Sequence, residues 1–258
     1  MSWHLNGRSS GFSQEYYWGV VLPQVMDRSW SWRLMCIKLP APNRPFMEDS
    51  AMSLNAVIDI SHHNGTKLDF AKAKADGILG VIHKATQGQT GADPMYVSNR
   101  KKVRDAGLLW GAYHFATGSD GIAQAEHFLQ TVGDPADTLL VLDFEPNPTG
   151  PSMSLVEARA FTTHVFEQTG KWPGLYAGHY LKELLGTNSD PVLANSWLWM
   201  AQYRSTVVIP PNWPTWTMWQ YTDGAAGPEP HEVNGIGRCD RDRFNGNETQ
   251  LRKLWGVA

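Results

Sequence analysis

The chain has 258 residues, of which 42% are hydrophobic and 18% are charged, and its net charge is −3. These values are typical of a folded globular protein, and they indicate no general attraction to nucleic acid or to an anionic membrane surface. No apolar run approaches the ~20 residues of a membrane span, and two cysteines are too few for a disulfide framework.

The first 53 residues lack the regularity of the rest of the chain. Trp, Ser, Arg and Pro are scattered there without a helix or strand period. The apolar run at 19–23 is short and broken, so no signal peptide is predicted. Three interpretations stay open: a real extension of unknown role, disordered or not, a delivery or partner-binding arm, and a start-site artefact upstream of Met52. We therefore divide the chain into an N-terminal extension, 1–53, and a folded domain, 54–258.

From residue 54 onward, strands and helices alternate every 25 to 30 residues or so, which predicts βα units and a parallel sheet. Strands are predicted at 56–60, 79–83, 108–115, 138–145, 174–177, 197–202, 217–221 and 238–240. Helices are predicted at 66–76, 93–107, 120–133 and 154–170. About eight strands with few helices in the second half indicate an α/β protein with an irregular, TIM-like (β/α) barrel.

Residues that favour helix starts precede three of these helices. Asp93 with Pro94 and Asp120 are predicted N-caps. Ser154 with Glu157 has the spacing of a capping box, in which each side chain binds the backbone of the other residue.

The stretch 138–146 carries the strongest chemical signal. An apolar run leads directly into Asp143 and Glu145, and Pro146 then stops the strand. Side chains alternate along a strand, so the two acids share one face, roughly 6.6 Å apart along the chain. Carboxylates this close separate each other's pKa values, as an acid/base pair requires. The competing interpretation is a strand end with two solvated acids.

Polar residues also end the other predicted strands, where the active sites of such barrels lie. They are Asp59 with His62 and His63, Lys84, Tyr113, Tyr176, Gln202 with Tyr203, Trp219 with Gln220, and Asp240. If the barrel forms, four acids and several aromatic rings converge on one cleft. Each residue also has a structural interpretation: Lys84 can be an ion-pair partner, the tyrosines wall packing, Trp197 and Trp199 core, and Asp240 part of a surface salt-bridge cluster. The spacing of Asp59, His62 and His63 does not match zinc sites, and we expect no metal and no cofactor.

The chain from about 54 to 255 resembles glycoside hydrolase family 25, the Chalaropsis-type lysozymes. Seven segments match in the family's order: Asp59–Ser61 with Gly65, Lys84–Thr86 with Gly88, Gly111–Phe115, Leu142–Glu145, Leu175–Tyr176, Trp219–Tyr221, and Asp240–Phe244 with Asn245 and Gly246. The resemblance does not extend to 1–53. One departure is Gln87, where many members of the family carry Glu.

The resemblance implies a barrel enzyme that cleaves the β-1,4 bond between N-acetylmuramic acid and N-acetylglucosamine in peptidoglycan. It implies Glu145 as general acid, Asp143 as its partner carboxylate, and Asp59 and Asp240 as further acids of the groove. We expect Tyr113, Tyr176, Lys84, Trp219 and Gln220 to contact the substrate. The stereochemical route, inverting or assisted by the substrate's acetamido group, stays open.

Two other functions stay open: a non-catalytic peptidoglycan-binding module and another glycosidase such as a chitinase. The intact pair Asp143 and Glu145 disfavours the first, and Leu140, Val141 and Leu142 replace the acidic motif typical of the second. We expect a monomer whose partners are bacterial glycan strands, with no nucleic acid and no membrane insertion. With no predicted signal peptide, we expect delivery to the cell wall through a phage holin or a bacterial secretion machine.

Overall fold

The computed structural model describes residues 53–257, so the predicted extension lies outside it except for Ser53. The strands within that range are β1 Leu54–Ile60, β2 Gly80–Gln87, β3 Gly91–Ala92, β4 Leu109–Phe115, β5 Thr138–Phe144, β6 Gly174–Ala177, β7 Leu198–Ala201, β8 Met218–Thr222, β9 Glu232–Val233, β10 Gly237–Arg238 and β11 Asp240–Phe244. The α-helices there are α1 Phe70–Ala75, α2 Tyr96–Asp105, α3 Gly121–Val132, α4 Leu155–Thr169, α5 His179–Leu185 and α6 Glu248–Leu254.

Eight of these strands form a closed barrel. Their order is β1-β11-β8-β7-β6-β5-β4-β2, and β2 closes the ring by pairing with β1. Neighbouring strands are parallel except at β11, which runs antiparallel to both β1 and β8. The predicted irregular α/β barrel is confirmed, including the scarcity of helices in its second half.

The direction of β11 corrects one prediction. The βα pattern placed Asp240 at the end of the last strand, but Asp240 begins β11 and Phe244 ends it. Because β11 runs against its neighbours, its first residue lies at the rim where the parallel strands end. Asp240 is accordingly paired with Asp59 of β1.

Apolar side chains fill both the barrel interior and the layer between barrel and helices. Every residue of β5 is buried, as expected for a strand covered on both faces. At the end of the barrel where the parallel strands begin, the Trp255 indole donates to the Trp110 carbonyl at 2.9 Å and lies against Gly80. This contact lies at the end of the barrel opposite the rim where Asp59 and Asp240 pair.

Two helices begin later than predicted. Helix α1 starts at Phe70 because the Asp69 carboxylate, rather than a residue near 66, accepts the capping hydrogen bond from the Lys72 amide. Helix α2 starts at Tyr96, beyond Asp93, whose carboxylate accepts from the backbone amides of His62 and Met95. Asp93 therefore links the residues that follow β1 to the loop before α2 instead of capping the helix.

The cap of α4 forms only in part. Ser154 accepts from the Glu157 amide at 3.2 Å, as predicted. The Glu157 carboxylate does not return to the cap but accepts from the Gly121 amide at 2.6 Å. It therefore links the starts of α3 and α4, which pack side by side. Asp120 caps α3 as predicted, accepting from the Ala123 amide.

Candidate active site

A cleft of about 280 Å³ opens at the rim where the parallel strands end and β11 begins. Its walls are five acids, four aromatic side chains and one amide: Asp59, Asp143, Glu145, Asp223, Asp240, Tyr113, Tyr176, Trp199, Tyr203 and Gln220. The structure thus brings together the four acids that the sequence placed at strand ends. It also brings Tyr113, Tyr176 and Gln220 to the same cleft, whereas Lys84 and Trp219 do not line it.

Asp143 of β5 and Glu145, which follows the strand directly, both line the cleft, as the alternation along the strand predicts. Asp143 is buried, and within the described residues its Oδ1 has no hydrogen-bond partner. Burial and the charge of Glu145 raise the pKa of Asp143 well above its usual range. Burial also raises the pKa of Glu145, although the nearby Lys84 ammonium opposes this. The fully ionised pair is therefore disfavoured, and the two groups retain a proton above the usual carboxyl range.

Gln220 joins three other residues of the cleft lining through hydrogen bonds. Its Nε2 donates to Asp59 Oδ2 at 2.7 Å, and its Oε1 accepts from the hydroxyls of Tyr176 and Tyr203, each at 2.9 Å. Both ends of the amide are therefore committed, which sets its orientation. The network fixes two phenol rings and one acid at the mouth of the barrel.

Asp59 and Asp240 form a second acidic pair across β1 and β11. Burial first, and then the charges of Asp240 and Asp242, raise the pKa of Asp59 well above its usual range. Burial also raises the pKa of Asp240 to about 6. The cleft as a whole can hold protons on several carboxyls at mildly acidic pH.

Lys84 and Trp219 lie outside the cleft. The Lys84 ammonium lies 4.6 Å from the Phe115 ring centre and donates to Gln87 Oε1 at 2.7 Å. Trp219 is buried, and its indole donates to the Gln202 carbonyl at 2.8 Å. Strand alternation explains this position, because Trp219 points away from the face that carries Gln220.

Three residues of the cleft were not among the predicted site residues: Trp199, Tyr203 and Asp223. Tyr203 lies two residues beyond the end of β7, so the strand-end rule had already marked it. Trp199 was assigned to the core; it is indeed 1% exposed, yet one edge reaches the cleft. Asp223 lies in the loop after β8, where no periodic signal identifies it.

Asp242 lies beneath the cleft, fully buried in the barrel. The Trp199 indole donates to its Oδ1 at 2.7 Å, and its Oδ2 has no partner among residues 53–257. Burial raises its pKa well above the usual range. The alternation of Asp240 and Asp242 on β11 is the signal that marks it, the same pattern as in Asp143 and Glu145. The surface salt-bridge interpretation of this segment is wrong for both acids: Asp242 is fully buried, and Asp240 lines the cleft.

Asp242→Asn is expected to flatten the pH dependence of stability. A carboxyl whose folded pKa is raised stabilises the fold below its unfolded pKa of about 3.9, and loses that contribution as pH rises through the folded pKa. The wild-type Tm should therefore fall between pH 5 and pH 8 more than the Tm of the variant does. Each kcal/mol corresponds to about 2–4 °C for a domain of this size. Thermal melts across this pH range test it, with the exposed Glu167→Gln on α4 as control. Parallel curves for wild type and Asp242→Asn would contradict it.

A closed β/α barrel with paired carboxylates in an aromatic-lined cleft at its rim has the features of a glycoside-cleaving enzyme. The family model "Glycosyl hydrolases family 25" matches residues 58–229. The chain therefore belongs to glycosyl hydrolase family 25 and is a glycoside hydrolase.

Individual relatives agree with this assignment. Lysozyme M1 of Streptomyces globisporus is 31% identical over 221 residues, which cover 76% of this chain and 70% of the relative. The N,O-diacetylmuramidase of Chalaropsis sp is 29% identical over 196 residues, covering 69% and 92% respectively. The solved structure of a family GH25 lysozyme from Aspergillus fumigatus is 33% identical with a TM-score of 0.67, covering 79% of this chain and 99% of that one. Within residues 53–257, no helix is both long and apolar enough to cross a membrane.

Proposed function

We propose that the protein is a muramidase that cleaves the β-1,4 bond between N-acetylmuramic acid and N-acetylglucosamine in bacterial peptidoglycan. The observation that carries the proposal is the pair Asp143 and Glu145 in a cleft lined by tyrosines and further acids. The proposal is also supported by membership of family 25 and by relatives named lysozyme and N,O-diacetylmuramidase. The site of action is the bacterial cell wall.

Glu145 is the general acid of this proposal. It is only partly buried, on the cleft wall, and shares with Asp143 a pair that resists full ionisation. A protonated Glu145 can donate to the glycosidic oxygen as the bond breaks, and such assistance contributes roughly 10²–10⁴-fold. Asp59 and Asp240, when ionised, stabilise the positive charge that develops on the sugar.

Asp143 is the partner carboxylate, and it can act by two routes. In the inverting route a carboxylate activates water on the far side of the sugar, which requires carboxyl groups about 6.5–9.5 Å apart. In the assisted route the substrate's acetamido oxygen attacks, and Asp143 orients that amide. Both acids come from the end of one strand and line the same cleft, which favours the assisted route. Neither route uses a metal, so we expect activity to persist in EDTA.

The test of the function is the digestion of purified peptidoglycan, followed by borohydride reduction and mass spectrometry of the fragments. Reduced muramic acid ends are expected. Reduced glucosamine ends would instead indicate a glucosaminidase, and no release of fragments would favour a binding module. NMR of the first product separates the routes, because an α anomer from this β-linked substrate would exclude the assisted one.

Replacing Lys84 by Met should move the alkaline limb of the pH–activity profile to higher pH. The Lys84 ammonium lowers the pKa values of Asp143 and Glu145, so its removal lets the pair keep its proton to higher pH. The measurement is kcat/KM against pH on soluble glycan strands without peptide stems, with Lys84→Arg, which keeps the charge, as the matched control. An unchanged limb, or one that moves to lower pH, would contradict the proton assignment.

A further inference from the structure

A second cavity, of about 350 Å³, lies beside the cleft at the ends of β2 and β3; we call it the lateral pocket. It is lined by His62, Lys84, Gln87, Asp93, Thr117 and the turn at 88–92. Lys84 connects the two cavities. It lines the lateral pocket, and its charge acts on Asp143 and Glu145 of the cleft.

Lys84 carries a positive charge that no described acid pairs with directly. Its ammonium donates to the neutral side chain of Gln87, and one such bond leaves two of its three hydrogens available. No carboxylate within residues 53–257 forms an ion pair with it. Gln87 is neutral, so it supplies no negative charge to Lys84, and the remaining hydrogens of the ammonium are available to an anionic ligand.

The other walls of the pocket suit an anion. The one acid that lines it, Asp93, has a buried carboxylate that already binds the His62 ring at 2.7 Å and two backbone amides. The exposed rim consists of His62 and the neutral side chains of Gln89 and Thr90. A carboxylate that enters the pocket therefore meets a cation and hydrogen-bond donors, with no free acid among the lining residues.

We propose that the lateral pocket binds a carboxylate of the peptide stem that peptidoglycan carries on muramic acid, and that the enzyme therefore prefers strands with stems. This inference rests on the proposed function and adds a specificity determinant to it. Stem peptides carry several carboxylates, and three extended residues reach about 10 Å from the sugar. A stem of this length extends beyond the sugar toward the lateral pocket, which lies at the same rim of the barrel as the cleft.

The test compares kcat/KM on glycan strands that carry stems with kcat/KM on strands whose stems an amidase has removed. Wild type should prefer the stemmed strands about five- to tenfold, which is the net effect of one typical hydrogen bond. Gln87→Glu, which supplies Lys84 with an acid, should bring the ratio close to one. Gln89→Lys, which adds a cation at the rim, should increase it. Gln168→Glu, the same chemical change on the exposed surface of α4, should leave the ratio at the wild-type value.

Equal rates of wild type on both strands, or an unchanged ratio in Gln87→Glu, would overturn the proposal. If wild type cleaves neither strand, it is the proposed function that fails. Calorimetric titration of the full chain with a free acidic stem tripeptide then tests the pocket alone. Saturable binding by wild type that Gln87→Glu abolishes supports the site, and no binding by wild type overturns it.

Discussion

Glu145→Gln is expected to lower kcat on peptidoglycan by about 10²–10⁴-fold, because glutamine keeps the shape of the side chain but has no proton to donate to the leaving oxygen. Glu145 lies at the end of β5 and is partly exposed on the cleft, so the change should leave the fold intact. The measurement is the release of reducing ends over time, with circular dichroism and Tm to show that the variant is folded. Retained binding to peptidoglycan, with catalysis lost, is the expected combination.

The matched control is Glu167→Gln, an identical chemical change on the exposed surface of α4. It should keep wild-type activity. A folded Glu145→Gln variant with wild-type activity would contradict the assignment of the general acid. A wild-type protein that binds peptidoglycan as its variant does, and cleaves no bond, would instead favour the binding-module alternative.

Asp143→Asn should give the second large loss, about 10²-fold or more, because the partner carboxylate supports charge and orientation in the transition state. The residual activity should also have a distinctive pH profile. Repulsion between Asp143 and Glu145 helps keep a proton in the pair, so removing one charge lowers the pKa of the other. The alkaline limb should therefore move to lower pH, opposite to the shift expected for Lys84→Met.

This opposition makes the two variants controls for each other. If the alkaline limb of the pH–activity profile lies at the same pH in Asp143→Asn and in wild type, then Asp143 and Glu145 titrate independently. That result would contradict the coupling proposed for the pair. The profile should be measured on stem-free glycan strands, so that charges on the peptide do not contribute. The anomer of the first product that Asp143→Asn releases then shows whether the variant uses the same route, inverting or assisted, as wild type.

Local sequence patterns were sufficient to predict the barrel and most of its cleft. The apolar run of β5, with two acids after it, predicts a buried strand and a shared face, and both side chains line the cleft. The same alternation explains why Gln220 lines the cleft and its neighbour Trp219 does not, although both were expected to contact the substrate. These features depend on neighbours along the chain, which the sequence displays directly.

The remaining features depend on tertiary pairing. A five-residue strand such as β11 has the same pattern in either direction, so the sequence cannot show that it runs backwards. The position of Lys84 depends on the turn between β2 and β3, which creates the lateral pocket. The burial of Asp242 follows from barrel closure, because an acid between two arginines looks like a surface residue until its neighbours are known.

The pairing of β1 with β11 has a consequence for synthesis. The first barrel strand finds one of its two partners nearby in β2, but the other lies some 180 residues further along the chain. During synthesis on the ribosome, one edge of β1 stays unpaired until β11, near the end of the domain, has emerged. Such distant pairing makes folding slow. The acid Asp240 arrives with β11, so a partly made chain lacks both a closed barrel and the complete set of acids that line the cleft.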